Sequence, residues 1–176
     1  MRLQPQRTKL LLALPSAPAK RVRSSFDLYQ RLQPLSGESW EPLKLKLLKA
    51  LRQADAWNSD EAKVTIFLHE EMWEDAIATV SKRYIYNPTL VYQVMDAVMP
   101  YQPDWVIVTA IPQADEIINA GRSDKYNIAI EWLKRVKAAY VESERQAEWQ
   151  TYRNSLVLAH GKKRKLMALL DAARLS

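Results

Sequence analysis

The sequence predicts an all-α protein made of stacked antiparallel helix pairs, and three observations carry that reading. Apolar side chains recur every three or four residues through most of the chain, the spacing of one face of a 3.6-residue helix. Glycine occurs only three times in 176 residues, at 37, 121 and 161. That is too few for a β-rich or dinucleotide-binding chain, which needs glycine at tight turns and phosphate loops. The nine prolines fall mainly where the periodic stretches begin or end, as helix punctuation does.

Residues 1–20 mix Gln, Arg and three prolines and read as a flexible N-terminal arm; residues 21–176 read as a single α-helical, repeat-like domain. A short helix is expected over Lys20 to Leu32, with Val22, Phe26, Tyr29 and Leu32 on one side, ended by Pro34 and Gly37. Ser39 can cap the next, whose stripe is Trp40, Leu43, Leu47, Leu51 and Ala54. Asn58 and Ser59 offer caps for a helix through Ala62, Ile66 and Phe67. After a break near Met72 comes a second short helix with Trp73, Ala76, Ile77 and Val80. Asn87-Pro88 reads as a cap and first turn, followed by Leu90, Val91, Val94, Met95 and Val98. Pro100 and Pro103 close that helix, and Gln102-Pro103 opens the next.

Trp105 to Ile111 is rich in β-branched residues, yet its context favours a helix begun at Pro103, because a lone strand would leave its backbone groups unpaired. Helix is the expectation, kinked or divided at Pro112. Beyond Gly121, Lys125 to Glu142 forms the clearest amphipathic element, with Tyr126, Ala129, Ile130, Leu133, Val136 and Tyr140 inward. A last helix is expected from about Gln146 to Arg174, bent at Gly161, with Trp149, Tyr152, Leu156, Leu166, Leu170 and Ala173 inward. The six tryptophans fall in these stripes and read mainly as core.

Composition narrows the function classes. At 48% apolar and 26% charged residues the chain can bury enough surface to offset its ordering entropy. Having no cysteine, it has no disulfide, no thiolate nucleophile and no cysteine-ligated zinc or iron–sulfur cluster. That suits a reducing compartment, and cytoplasmic location is the expectation, although cysteine-free secreted proteins exist. The apolar run Leu10 to Leu14 stops at Pro15, too short for a signal-peptide core, and no run approaches a membrane span. Net charge is +6 but unevenly placed. Basic and acidic residues number seven to one over 1–37, eight to fourteen over 38–124 and eleven to five over 125–176. Basic ends around an acidic middle serve either an acidic partner or the chain's own complementarity.

Two resemblances add to this reading. Trp73, Ala76, Ile77 and Val80, and again Tyr126, Ala129, Ile130 and Leu133, put an aromatic and then a small residue on a helix. The small side chain lets a paired helix approach while the aromatic fills the adjoining groove. The pattern resembles the second helix of a tetratricopeptide (TPR) repeat and implies a TPR-like right-handed helical array. The tryptophan and glycine signature of that repeat's first helix is missing. Over residues 125 to 175 the chain is similar to the C-terminal helical region of bacterial SWIM zinc-finger proteins. Ala129, Leu133, Lys134, Arg135, Tyr140, Glu148, Trp149, Tyr152, the run Lys162 to Lys165, Leu166, Leu169 and Leu170 carry the likeness. The finger of that family needs cysteines this chain lacks, so none of its metal ligands transfers. The resemblance implies the helical region alone, either as a stand-alone relative or as one product of a split gene whose partner chain carries the finger.

Candidate sites are few. The run Lys162, Lys163, Arg164 and Lys165 spans more than a helical turn, so it cannot all face a core; it is the candidate nucleic-acid contact, set against a plain solvated helix face. His69 and His160 lie far apart without a spaced second ligand and read as surface residues. Glu70, Glu71, Glu74 and Asp75 read as a solvated acidic turn rather than a cation or acid–base site. Trp73, Ala76, Tyr126, Ala129, Leu133 and Trp149 read as helix-pair packing. No P-loop, GxSxG, HExxH or GxGxxG pattern occurs. The expectation is a non-enzymatic scaffold with no cofactor or metal, binding another protein in a groove between helices, with accessory nucleic-acid binding as the alternative.

Overall fold

The computed structural model describes residues 26–34, 37–53, 60–81 and 88–175, and every regular element among them is helical. The all-α class is thereby established, Trp105 to Ile111 included. The expected arm, Val22, Ala54, Trp57 and the caps Asn58, Ser59 and Asn87 lie outside the described residues. We label the helices α1 (26–34), α2 (Trp40–Gln53), α3 (Asp60–His69), α4 (Trp73–Ser81), α5 (Pro88–Val98), α6 (Pro103–Asn119), α7 (Tyr126–Glu142), α8 (Gln146–His160) and α9 (Arg164–Ala172). Two compact units divide within α5, after Val94.

In the unit up to Val94, α3 encloses Ala62, Lys63, Val64, Ile66 and Phe67, while Glu61 and His69 on its other side are exposed. Tyr29 of α1 and Trp40 of α2 meet edge to face, ring centroids 5.3 Å apart. Arg52 of α2 grips Asp75 of α4 with two hydrogen bonds of 2.7 Å. Helices α3 and α4 pack together across the turn at 70–72.

The unit from Met95 onward is organised by α7, which packs against α6, α8 and α9. Eight of its 17 residues are buried: Tyr126, Ala129, Ile130, Trp132, Leu133, Val136, Ala139 and Tyr140. Its contact with α6 is the most extensive among the described helices. Ala110 and Ala114 of α6 and Ala129 and Ala139 of α7 are fully enclosed, and such small residues let helix axes draw close. The pair is antiparallel, since Arg145, just past the end of α7, bonds Asp104 at the start of α6.

Three expectations are corrected here. The stretch from Gln146 to Arg174 is not one bent helix but two, separated by a turn at Gly161, Lys162 and Lys163. A continuous helix of that length would extend about 43 Å and overrun α7, about 26 Å long. The turn returns α9 to α7 and buries Leu166, Leu170 and Leu175. Pro112 does not divide α6, which runs unbroken from Pro103 to Asn119. It lies on the water-facing side, as does Val108, whose carbonyl loses its amide partner to the proline, so solvent can satisfy that group. Gln102 precedes α6 but its side chain makes no capping hydrogen bond.

Four helices end in the same closure, an amide reaching back five residues across a left-handed residue. The bonds run from Met72 to Phe67 (2.8 Å), Arg122 to Ile117 (3.4 Å), Arg145 to Tyr140 (2.7 Å) and Leu175 to Leu170 (3.0 Å). The left-handed positions are Glu71, Gly121, Glu144 and Arg174, with φ of 56°, 67°, 58° and 52°. Only one of them is glycine. A side chain there strains the backbone, so Glu144→Gly is expected to stabilise the fold by about 0.5–1 kcal/mol and Gly121→Ala to destabilise it by about 1 kcal/mol. Urea denaturation of the two variants reads both signs. At the α6–α7 contact, Ala114→Leu overfills a closed site and should cost about 1–3 kcal/mol in the same measurement.

Candidate functional site

The basic run occupies the turn between α8 and α9 and the first residues of α9. Its four members do different things. Lys163 donates a short hydrogen bond from Nζ to the Ile118 carbonyl at the end of α6, where a helix carries partial negative charge. It therefore pins the turn to α6. Lys162, Arg164 and Lys165 are exposed, with no carboxylate partner among the described residues. Three cations at the positive end of α9 repel one another and the helix dipole, an arrangement that costs the isolated fold stability. Beside them, burial and then Lys163 push His160 below its ordinary value, so it adds no charge at neutral pH.

Other cations of this unit are committed to structure. Lys137 and Arg153 donate to the carbonyls of Arg174 and Leu175 beyond the end of α9, at 2.6 and 3.1 Å. Arg135 bonds Asp96 at 2.8 Å. Arg145 joins Asp104 and Glu148 while lying 5.3 Å over the Tyr140 ring, and both carboxylates hold its guanidinium firmly protonated. Tyr152 donates to Asp115 at 2.8 Å; burial, then that carboxylate, raises the phenol above its ordinary value.

Ala76 and Ala129 are fully enclosed, and Tyr126, Leu133 and Trp149 are buried. Trp73 is only half-buried, as is Trp105, so neither is a core tryptophan. Trp105 belongs to a feature that the sequence reading misses. Tyr101, Trp105, Val108 and Pro112 line the outward side of α6 and the turn before it, with Tyr101 62% and Val108 66% exposed. The signal is present as spacings of four, three and four residues. It lies inside the stretch where helix competes with strand, and the β-branched run there masks a second apolar face.

The acidic group is separated by the fold. Glu70 accepts a 2.7 Å bond from the Tyr29 hydroxyl and pairs closely with Lys44; Asp75 is taken by Arg52; Glu71 forms the left-handed turn; Glu74 is exposed. His69 is exposed and meets the Phe26 ring edge-on at 5.2 Å. Among the described residues no three His, Asp or Glu side chains are grouped to hold a metal ion, and no helix is long and apolar enough to cross a membrane.

Comparison of the chain with protein families, with curated proteins and with solved structures finds no match in any of the three.

Glu70 gives the N-terminal unit an acid sensitivity. Burial alone would raise its carboxyl, but the bonds from Lys44 and Tyr29 outweigh burial and hold it below its ordinary value of 4.5. A depressed carboxylate contributes stability that is fully present above the unfolded value and is lost as pH falls through the folded one. Glu70→Gln should therefore lower stability at neutral pH and flatten its decline below about pH 4.5, as read by thermal unfolding across pH. An unchanged acid limb would remove Glu70 from the account.

Proposed function

We propose that this protein is a non-enzymatic helical interaction module that captures a basic amphipathic segment of another protein on the outer face of α6. The reading rests on one observation, the exposed stripe Tyr101, Trp105, Val108 and Pro112. Contiguous apolar surface at helical spacing on a helix already buried on its opposite side mirrors the anchors of helix-in-groove recognition. The charge around the stripe selects the partner. Helix α6 has no Lys or Arg, and although Asp104 pairs with Arg145 and Asp115 accepts from Tyr152, Glu116 is exposed beside the stripe, so a segment with apolar anchors and a flanking cation complements it. The rigid partnership of α6 with α7 presents the stripe without an ordering cost at binding.

The TPR-like stacking of helix pairs and kinship with the helical region of SWIM zinc-finger proteins belong to the same proposal. They rest on the aromatic–alanine spacings and on residues 125 to 175. In that case the partner is the chain bearing the missing finger, and both meet in the cytoplasm.

Affinity capture with the full chain at low salt, followed by hydrogen exchange on the purified complex, tests this reading. The expected result is a stoichiometric partner whose basic amphipathic segment protects 101–116. Val108→Asp places a charge at an exposed position, so it should leave the melting temperature unchanged and weaken binding about tenfold or more. A partner indifferent to Val108→Asp, no stoichiometric partner, or self-association through the stripe overturns it.

A further inference from the structure

The turn between α8 and α9 carries charge that the fold does not use. Lys163 is spent on the Ile118 carbonyl, which fixes the turn in place. Lys162, Arg164 and Lys165 stand in water within four residues of one another. Acids occupy the first turn of α2, α3, α4, α6 and α8, where they complement the helix dipole; in α9 cations stand there instead.

We infer that this turn binds the phosphate backbone of a nucleic-acid duplex, with Lys162, Arg164 and Lys165 each neutralising a phosphate and Lys163 holding the turn. The site is distinct from the stripe on α6. The cations follow one another along an exposed turn and helix start, which suits successive phosphates of a polymer better than one small anion enclosed from several sides. The tryptophan and tyrosine nearest in sequence are withdrawn, Trp149 into the core and Tyr152 onto Asp115, so the large stacking faces that single strands use are not offered by them. A lipid surface would call for apolar side chains among the cations. Leu166 and Leu170 of α9 are buried, leaving Leu158 as the exposed leucine of these two helices.

Duplex binding is measured with the full chain and a short mixed-sequence duplex, by fluorescence anisotropy across a salt series. Changing Lys162, Arg164 and Lys165 together to Ala keeps Lys163 and is expected to weaken binding at least tenfold at low salt. The slope of log affinity against log salt should fall by about 2 to 3, one ion released per lost contact. A second variant, Lys165→Glu, supplies α9 with the acid its first turn lacks, so it should raise the melting temperature while lowering duplex affinity. Lost folding cannot produce that pair of effects. Wild-type affinity and slope in the triple variant would falsify the inference. Binding to phosphatidylserine vesicles with the same residue dependence and none to the duplex overturns it as well.

Discussion

Close packing of α6 on α7 is the constraint on which the C-terminal unit depends. Alanines at 110, 114, 129 and 139 are enclosed where the chain is most tightly buried, and Val106, Ile118, Leu133 and Val136 complete the layer. One side of α7 is taken by α6, and both α8 and α9, beyond its end, pack on it as well. A single continuing helix cannot make both contacts, since it leaves α7 behind after about 26 Å. The chain therefore turns at Gly161 and comes back. A Cβ at that glycine would stand 2.9 Å from the Val157 carbonyl, closer than ordinary contact allows. The basic turn exists at this place because α7 needs two short helices rather than one long one.

Helix ends take up part of the charge. The four C-terminal helices carry no side-chain N-cap hydrogen bond where the caps are described. Carbonyls at or beyond the ends of two of them instead receive long cations from elsewhere in the unit: Lys163 on the end of α6, Lys137 and Arg153 beyond the end of α9. Such bonds satisfy orphan acceptors and tie one element to another. They also divide the basic residues into those with a structural task and those without one, a division that counting charges cannot make. Sequence places all four of Lys162 to Lys165 in one class; geometry removes Lys163 from it.

The fold class is legible because burial in a helical protein writes itself into spacing. Tyr126, Ala129, Ile130, Leu133, Val136 and Tyr140 mark one face in the sequence and are all buried. The features that spacing does not reveal share a cause. Periodicity reports which residues of a helix face inward but not what lies beyond the helix: it marks α7 over Lys125 to Glu142, yet not that the following segment must fold back on it, so the full break at Gly161 reads only as a bend. The local rule for Pro112 holds only where the freed carbonyl is denied water. The left-handed Glu71, Glu144 and Arg174 leave no mark at all, since the residue type that signals such a turn is glycine. The acidic group looks like a cluster because its members adjoin in sequence; Lys44 and Arg52, which draw two of them apart, come from a different helix.

Departures from local consistency are where a fold carries something other than its own stability. Strain at three helix ends is offset within the structure, since each left-handed residue closes a backbone bond. Two departures in the C-terminal unit have no such compensation. The outer face of α6 exposes a valine and a tyrosine beside a tryptophan, which water disfavours, and the start of α9 gathers like charges at the helix end that repels them. Neither aids folding: a charge at 108 would leave the core and the stability untouched, and an acid at 165 would relieve the repulsion at the start of α9. Both features stand on helices held rigid by α7, one facing outward from α6 and the other pinned to its end through Lys163. A surface that is costly to the free chain and firmly positioned is the physical signature of one completed by a partner.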